Sequence, residues 1–387
     1  MIAWGSTAPN CAVNGLTALL RRDEWRTHPD GKRIQQLLRP QLDHPDETVR
    51  MLASMSLPLV VEPEDPTGEL CDRLSHEESG SVLEVLIGVL ASQVANDPSG
   101  VDACLRRLAV QPTWSVLAGK PEDRSSPPNK RRSESGDILL RVLLFLGLVH
   151  TTPFTSALLA AWQKEPQNHP ATVGRLVAWT RPYLNPPGQA GTTAQARAFE
   201  LLTNLTDVSV SITTSAQETF ASGATLSDEQ RQDLEAVGWI AGCIAQEIYH
   251  ASGAFQTQQE KSQPGERVVS PSFCSLSFPI IEKLATVRGA AIAHHLVQTL
   301  VFLRRREPRR AFMAVVKIAT PGSGYEYESM GEAEVLDLVD LYLAERRDVI
   351  LNDPACLSGL REILETFVAV GSDRAIRRVQ DLGELFA

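Results

Sequence analysis

The stretch from Ile34 to Pro63, IQQLLRPQLDHPDETVRMLASMSLPLVVEP, carries the clearest helix-pair pattern in this chain. Ile34, Leu38 and Leu42 lie four residues apart, and side chains at that spacing share one face of an α-helix. The pattern predicts a first helix that ends near Leu42. The polar turn His44-Pro45-Asp46 then predicts a break before a second helix.

The second half of the stretch predicts how that second helix packs. Val49, Ala53 and Leu57 recur every four residues, and the small Ala53 would let a paired helix approach closely. Asp46 is placed to cap the helix, and Arg50 to reach a neighbouring turn's aspartate or carbonyl groups. This pattern resembles the HEAT repeat, in which an aspartate in the turn precedes Val-Arg and a small residue follows four positions after the valine. The alternative is a generic helical hairpin.

Helical periodicity continues through the whole chain of 387 residues. A helix-pair unit of about 42 residues divides it into about nine pairs, or about 18 helical segments. A partial echo of the motif occurs at residues 196–205. The alternation Val208-Ser209-Val210-Ser211-Ile212 instead predicts a short extended link or a helix start. We therefore expect an all-α fold, an α-solenoid of HEAT-like antiparallel helix pairs; the alternative is a compact helical bundle.

Two polar segments interrupt this rhythm. Residues 119–137, GKPEDRSSPPNKRRSESGD, are rich in proline and serine and lack an apolar stripe. The sequence therefore predicts N-terminal HEAT-like repeats over 1–118, a mobile loop over 119–137, and C-terminal helical repeats over 138–387. A second exposed loop is predicted near 256–271.

Charge and cysteine content narrow the class of protein. With 37 Lys and Arg against 47 Asp and Glu, the net charge is −10, which disfavours a general nucleic-acid binder but leaves room for a local basic patch. Six scattered cysteines form no Cys-x-x-Cys pair, which indicates free thiols in a reducing cytosol. The N-terminus lacks a signal-peptide pattern, and the apolar run 138–149 is too short to span a membrane. We expect a cytoplasmic protein with no membrane partner.

The two ends carry a finer resemblance. Asn10-Cys11-Ala12-Val13-Asn14-Gly15, followed by 16–20, resembles the start of the C-terminal repeat (sensor) regions of large bacterial STAND-type ATPases, which include anti-phage sensors. Those regions carry Asn-His-Ala-Ile-Asn-Ser there, so Cys11 and Gly15 depart from the pattern. Residues 360–386 resemble their terminal repeat. The resemblance implies a sensor or scaffold array, either the excised recognition part or a stand-alone relative, because the sequence contains no Gly-x-x-x-x-Gly-Lys-Ser/Thr.

The strongest charge feature is the run RRREPRR at residues 304–310, which predicts a partner-binding site. Its five arginines are Arg304, Arg305, Arg306, Arg309 and Arg310. They would form an anion-binding patch for an acidic protein surface or a phosphate-bearing partner. The alternative is structural: Arg304 to Arg306 offset the negative end of the preceding helix, and acidic residues in 326–340 pair with the cluster. Lys130-Arg131-Arg132 has two readings, solubility or a weak nucleic-acid tether.

No catalytic or cofactor constellation is found in the sequence. The Gly-rich stretch 320–325 lacks a phosphate-loop lysine, and the neighbours His294 and His295 point about 100° apart on a helix, unlike an i, i+4 metal pair. One of these histidines is expected to be packed and the other exposed. We expect a non-enzymatic recognition or scaffold protein without metal or cofactor, with a protein partner, and serving as a sensor in bacterial defence or signalling. Nucleic-acid binding and an enzyme on a helical scaffold are the alternatives.

Overall fold

The computed structural model describes residues 8–60, 66–112, 114, 134–186, 192–255, 269–319 and 329–383. Over these ranges the chain has 21 α-helices, short 3₁₀ and π turns, and no strand, which confirms the all-α class. The chain forms two compact units, residues 1–160 and 161–387.

Unit 1 contains nine complete α-helices in its described part, and a tenth crosses its boundary. They are α1 (Ala8–Leu20), α2 (Asp23–Thr27), α3 (Pro29–Leu38), α4 (Glu47–Ser54), α5 (Leu57–Val60), α6 (Pro66–His76), α7 (Gly80–Gln93), α8 (Pro98–Leu108), α9 (Glu134–Phe145) and α10 (Pro153–Lys164). Helix α4 packs between α1 and α7, α7 packs on α9, and α6 packs on α8. Helices that follow two or three places along the chain therefore stack on one another.

Unit 2 contains the remaining eleven helices of the described ranges. They are α11 (Pro170–Ala178), α12 (Arg181–Leu184), α13 (Thr193–Ala221), α14 (Asp228–Ser252), α15 (Pro271–Leu284), α16 (Ala290–Leu303), α17 (Pro308–Ile318), α18 (Ser329–Glu345), α19 (Arg347–Leu351), α20 (Pro354–Ala369) and α21 (Asp373–Asp381). Helix α14 packs against α11, α13 and α16, α16 packs on α18, and α17 packs on α20. The long helices α13 and α14 lie at the centre of these contacts.

The predicted cap at Asp46 is confirmed, but Arg50 bonds the carbonyls of its own turn and a glutamate, not an aspartate or carbonyl of a neighbouring turn. The Asp46 carboxylate accepts hydrogen bonds from the backbone amides of Thr48 and Val49, at 2.8 and 3.4 Å. Arg50 donates to the carbonyl oxygens of His44 and Pro45, at 3.0 and 3.1 Å, and forms a two-point ion pair with Glu77. One arginine therefore ties its own turn to the segment after α6.

The helices around this turn are shorter than predicted. The first ends at Leu38 and continues as a 3₁₀ helix over Arg39–Asp43, where Pro40 cannot donate a backbone hydrogen bond. The second ends at Ser54, and Leu57 begins α5 after a break at which the Ser56 hydroxyl bonds the Ala53 carbonyl at 2.6 Å. Val49, Ala53 and Leu57 are nevertheless all buried.

The alternation at residues 208–212 does not mark an extended link, because it lies in the interior of α13. This helix buries small polar residues: Thr206 and Ser209 point inward, and each hydroxyl bonds a backbone carbonyl four residues earlier, at 2.7 and 2.9 Å. Because the buried face of α13 carries hydroxyl groups, the spacing of its apolar residues alone does not identify the face that packs in the core.

The structural division differs from the predicted one. The two units meet between Ala160 and Ala161, inside α10, and not at the 119–137 loop. Residues 119–133 of that loop lie outside the described residues, as do 256–268 of the second loop; residues 134–137 are helical, as the start of α9. The apolar run 138–149 forms α9 and the π turn Leu146–His150, with Leu139, Leu143 and Leu146 fully buried.

No single helix in the described ranges is long and apolar enough to cross a membrane. Together, the segments 136–150 and 153–164 have the length and apolar composition of a membrane span, but they are bent by 108° with respect to each other.

Candidate functional site

Arg304 directly follows α16 and is buried, with only 3% of its surface exposed. One guanidinium nitrogen donates to the Val301 carbonyl, and Nη2 lies 3.3 and 3.2 Å from the two carboxylate oxygens of Glu345 at the end of α18. A positive charge at this place also offsets the negative end of the α16 dipole. Arg304 therefore serves the packing of α16 on α18.

Arg309 and Arg310 both lie in the first turn of α17 and pair with neighbouring helices. Arg309 pairs with Asp353, whose other carboxylate oxygen caps α20 by accepting the Ala355 amide at 2.9 Å. Arg310 forms two hydrogen bonds with Glu282 of α15, at 2.8 and 3.0 Å. The two arginines therefore link α17 to α20 and to α15.

Arg305 and Arg306 face solvent. The Arg305 side chain is 50% exposed and lies at 4.0 Å from Glu345, and Arg306 is exposed with no ion pair to a described residue. Because Arg304 and Arg305 both reach Glu345, the loop after α16 runs beside the end of α18, where Arg346 and Arg347 follow. We name Arg305, Arg306, Arg346 and Arg347 the arginine rim.

The acidic segment 326–340 does not pair with this cluster in its described part. Asp337 and Asp340 accept hydrogen bonds from Arg374 of α21, at 2.6 and 2.7 Å, and Glu334 bonds His294. The carboxylates that do contact the cluster, on Glu282, Glu345 and Asp353, lie outside that segment. Proximity along the chain was misleading, since helix stacking brings together residues about 28 to 44 positions apart.

A second polar cluster joins α16 and α18. Nδ1 of His294 lies 3.0 Å from the Glu334 carboxylate, and the Gln298 amide bonds both the other ring nitrogen of His294, at 3.1 Å, and Glu334, at 3.0 Å. With Nδ1 protonated, both ring nitrogens are engaged. This arrangement links α16 to α18 through the Glu334 carboxylate.

His295 is held by aromatic contacts. Its ring stacks on Tyr249 at 5.3 Å between centroids, and the tilted His294 ring lies 5.5 Å away. Burial, and then the charges of His294 and His250, lower the pKa of His295 to about 4 despite the nearby Glu334. The expectation of one packed and one exposed histidine is wrong, because both are half-buried. Among the described residues, no group of three His, Cys, Asp or Glu side chains is placed to hold a metal ion.

Unit 1 holds a charged cleft of about 400 Å³ that the sequence reasoning missed. Four carboxylates and two arginines line it, and each carboxylate has an arginine partner. Arg73 pairs with Asp43 at 2.9 Å and with Glu69 at 3.2 Å, Arg50 pairs with Glu77 at 3.1 Å, and Arg107, outside the lining, pairs with Asp72. The i, i+4 spacing of Glu69 and Arg73 was the available signal. Because its carboxylates already pair with arginines, this cleft is a weaker candidate than the arginine rim.

No protein-family model matches the chain, and a search of curated proteins finds no significant relative. The resemblances to HEAT repeats and to the sensor regions of STAND-type ATPases therefore stay predictions.

Proposed function

We propose that this protein is a non-enzymatic recognition or scaffold protein that binds an acidic protein surface through the arginine rim. The observation that carries the proposal is that the five arginines of residues 304–310 make different contacts. Arg304, Arg309 and Arg310 pair closely with Glu345, Asp353 and Glu282, whereas the exposed Arg305 reaches Glu345 only at 4.0 Å and the exposed Arg306 has no ion pair with a described residue. Exposed guanidinium groups bind carboxylates in a planar two-point geometry, which suits an acidic partner.

The stacking of helices supports an array-like architecture for such a protein. Helix α4 packs on both α1 and α7, and Arg50 links its turn to the next one through Glu77. These are the contacts that HEAT-like helix pairs would make, and we propose that fold in its finer form. An array of this kind offers a long surface for another macromolecule.

The second candidate is nucleic-acid binding through the same arginines, since guanidinium groups also contact phosphates. The overall charge of −10 opposes it. A further proposal, which rests on the resemblance of the two end segments, makes this protein a sensor in a bacterial defence or signalling system. Co-expression with a protein encoded beside it, followed by size-exclusion chromatography, tests that role; persistent separate elution would contradict it.

The binding proposal is tested with the double variant R305E/R306E. The matched control is K32E/R33E, because Lys32 and Arg33 are likewise adjacent and exposed, and they have no ion pair to a described residue. Chemical cross-linking in the native source would identify the partner, and its affinity would then be measured with purified proteins. We expect the rim variant alone to lose at least about tenfold in affinity, in a salt-sensitive way.

Equal affinity of the rim variant and the control would overturn the proposal. Retention of the wild type on DNA and RNA resins, measured against salt concentration, distinguishes the second candidate. Salt-sensitive retention that the rim variant loses, together with no protein partner, would favour nucleic acid.

A further inference from the structure

Unit 2 contains an apolar cavity of about 270 Å³ that is separate from the arginine rim. It lies where α13, α15 and α17 end and α16 begins. Its walls are buried aliphatic side chains, namely Leu284, Val287, Ile292, Leu296 and Ile318. Cavities that bury drug-sized ligands measure about 300–1,000 Å³, so this one suits a smaller, mainly aliphatic molecule.

The polar side chains that line the cavity include two cations and no carboxylate. Arg288 and Lys317 contribute positive charge, and Gln217 contributes an amide. Both cations are exposed, and neither has an ion pair to a described residue. Arg310, on the same helix as Lys317, is by contrast paired with Glu282. The lining therefore carries a positive charge that no protein group in the described ranges balances.

An apolar wall beside uncompensated cations defines the chemistry of a ligand. The aliphatic part would remove apolar surface from water inside the cavity. A carboxylate would pair with the planar guanidinium of Arg288 and the ammonium of Lys317, and the amide of Gln217 would donate to it. We propose that this cavity binds an aliphatic monocarboxylate. The proposal goes beyond macromolecular recognition and does not depend on it.

The first test is a comparison of three small molecules by calorimetric titration of the full chain. Octanoate has both the chain and the charge, acetate has the charge alone, and octanol has the chain alone. We expect saturable binding of octanoate, and binding weaker by at least about tenfold for the other two, because each lacks one of the two recognition elements. No saturable binding of octanoate, or equal binding of octanol, would overturn the proposal.

The second test places the site at these residues. The variant R288E/K317E reverses the two cations, and R288Q/K317Q removes them without adding repulsion. The control K164E/R377E changes two exposed cations elsewhere in unit 2. We expect both cavity variants to lose octanoate affinity by at least about tenfold and the control to bind as wild type. Circular dichroism checks that each variant is folded, and unchanged affinity in folded R288Q/K317Q would overturn the assignment.

Discussion

The buried carboxylate of Asp102 accepts both the hydroxyl and the backbone amide of Thr155, at 2.6 and 2.9 Å. Asp102 lies in α8, whereas Thr155 lies in the first turn of α10. The same carboxylate also accepts the Thr152 hydroxyl at 2.7 Å and the Phe154 amide at 2.9 Å. One helix of unit 1 therefore caps the N-terminus of another, with four donors on one buried acid.

We predict that D102N destabilises the protein by about 2–3 kcal/mol. In asparagine an NH₂ group replaces one carboxylate oxygen, so its N–H donors would face the hydroxyl or amide donors that this oxygen accepts. Chemical denaturation measures the loss. The control D72N removes a single exposed ion pair with Arg107 and should cost less than about 1 kcal/mol. Equal losses in the two variants would show that the capping network contributes nothing beyond a surface charge.

The effect of D102N should also depend on pH. Burial alone would raise the pKa of Asp102, but the hydrogen bonds from Thr155, Thr152 and the two amides outweigh burial and lower it. A lowered acid pKa gives stability that is present above the unfolded value of about 3.9 and is lost as pH falls through the folded value. The difference between wild type and D102N should therefore narrow in acid.

Local caps could be predicted from the sequence, and this remote one could not. Asp46 caps α4 through amides two and three residues away, so the position of a polar residue just before an apolar run predicted this cap. Asp102 and Thr155 are 53 residues apart. Their contact depends on how α8 and α10 pack, and no periodicity in a single sequence carries that information.

The arginine cluster shows the same limit. Its position and charge are visible in the sequence, but the exposed pair Arg305 and Arg306 cannot be separated from the buried Arg304 without the structure. Glu345, which both Arg304 and Arg305 reach, lies 40 or more residues further along the chain. Tertiary contacts therefore determine which of these arginines is buried between helices.

The ion pair between Arg181 and Glu247 supplies a second prediction. The Glu247 side chain is only 4% exposed, and Arg181 binds it at two points, 2.6 and 2.9 Å. Burial raises the pKa of Glu247, although the hydrogen bonds and charge of Arg181 oppose that rise. A raised acid pKa means that stability is lost as pH rises from the unfolded value through the folded one.

R181M should therefore destabilise the protein by about 3–5 kcal/mol near pH 8, since it leaves a buried carboxylate unpaired. The loss should be smaller near pH 5, because Glu247 can take up a proton. It should also be smaller in the double variant R181M/E247M, which has no buried carboxylate at this position. The control K283M removes the exposed pair with Asp207 and should cost less than about 1 kcal/mol at either pH. Denaturation at both pH values checks this prediction. An R181M variant whose loss in the free energy of unfolding is the same at both pH values would contradict it.

Gly359 of α20 lies directly against Val316 of α17. A Cβ atom at Gly359 would lie 2.5 Å from one Val316 methyl carbon and 3.2 Å from the other. Val316 is buried and β-branched, so its side chain has little freedom to move away. The absence of a side chain at Gly359 is what permits this close helix packing.

G359A should consequently destabilise the protein by about 1–3 kcal/mol through overpacking, even though alanine favours a helix more than glycine does. The double variant G359A/V316A should lose less stability than the sum of the two single variants, by about 0.5 kcal/mol or more, because removing the Val316 methyl groups makes room for the added Cβ atom. The matched control is G242A in α14, where a Cβ would meet nothing within 4 Å. It should gain about 0.5–1 kcal/mol. Thermal and chemical denaturation of the wild type and of all four variants measures these values, and a G359A variant as stable as G242A would show that α17 and α20 do not pack this closely.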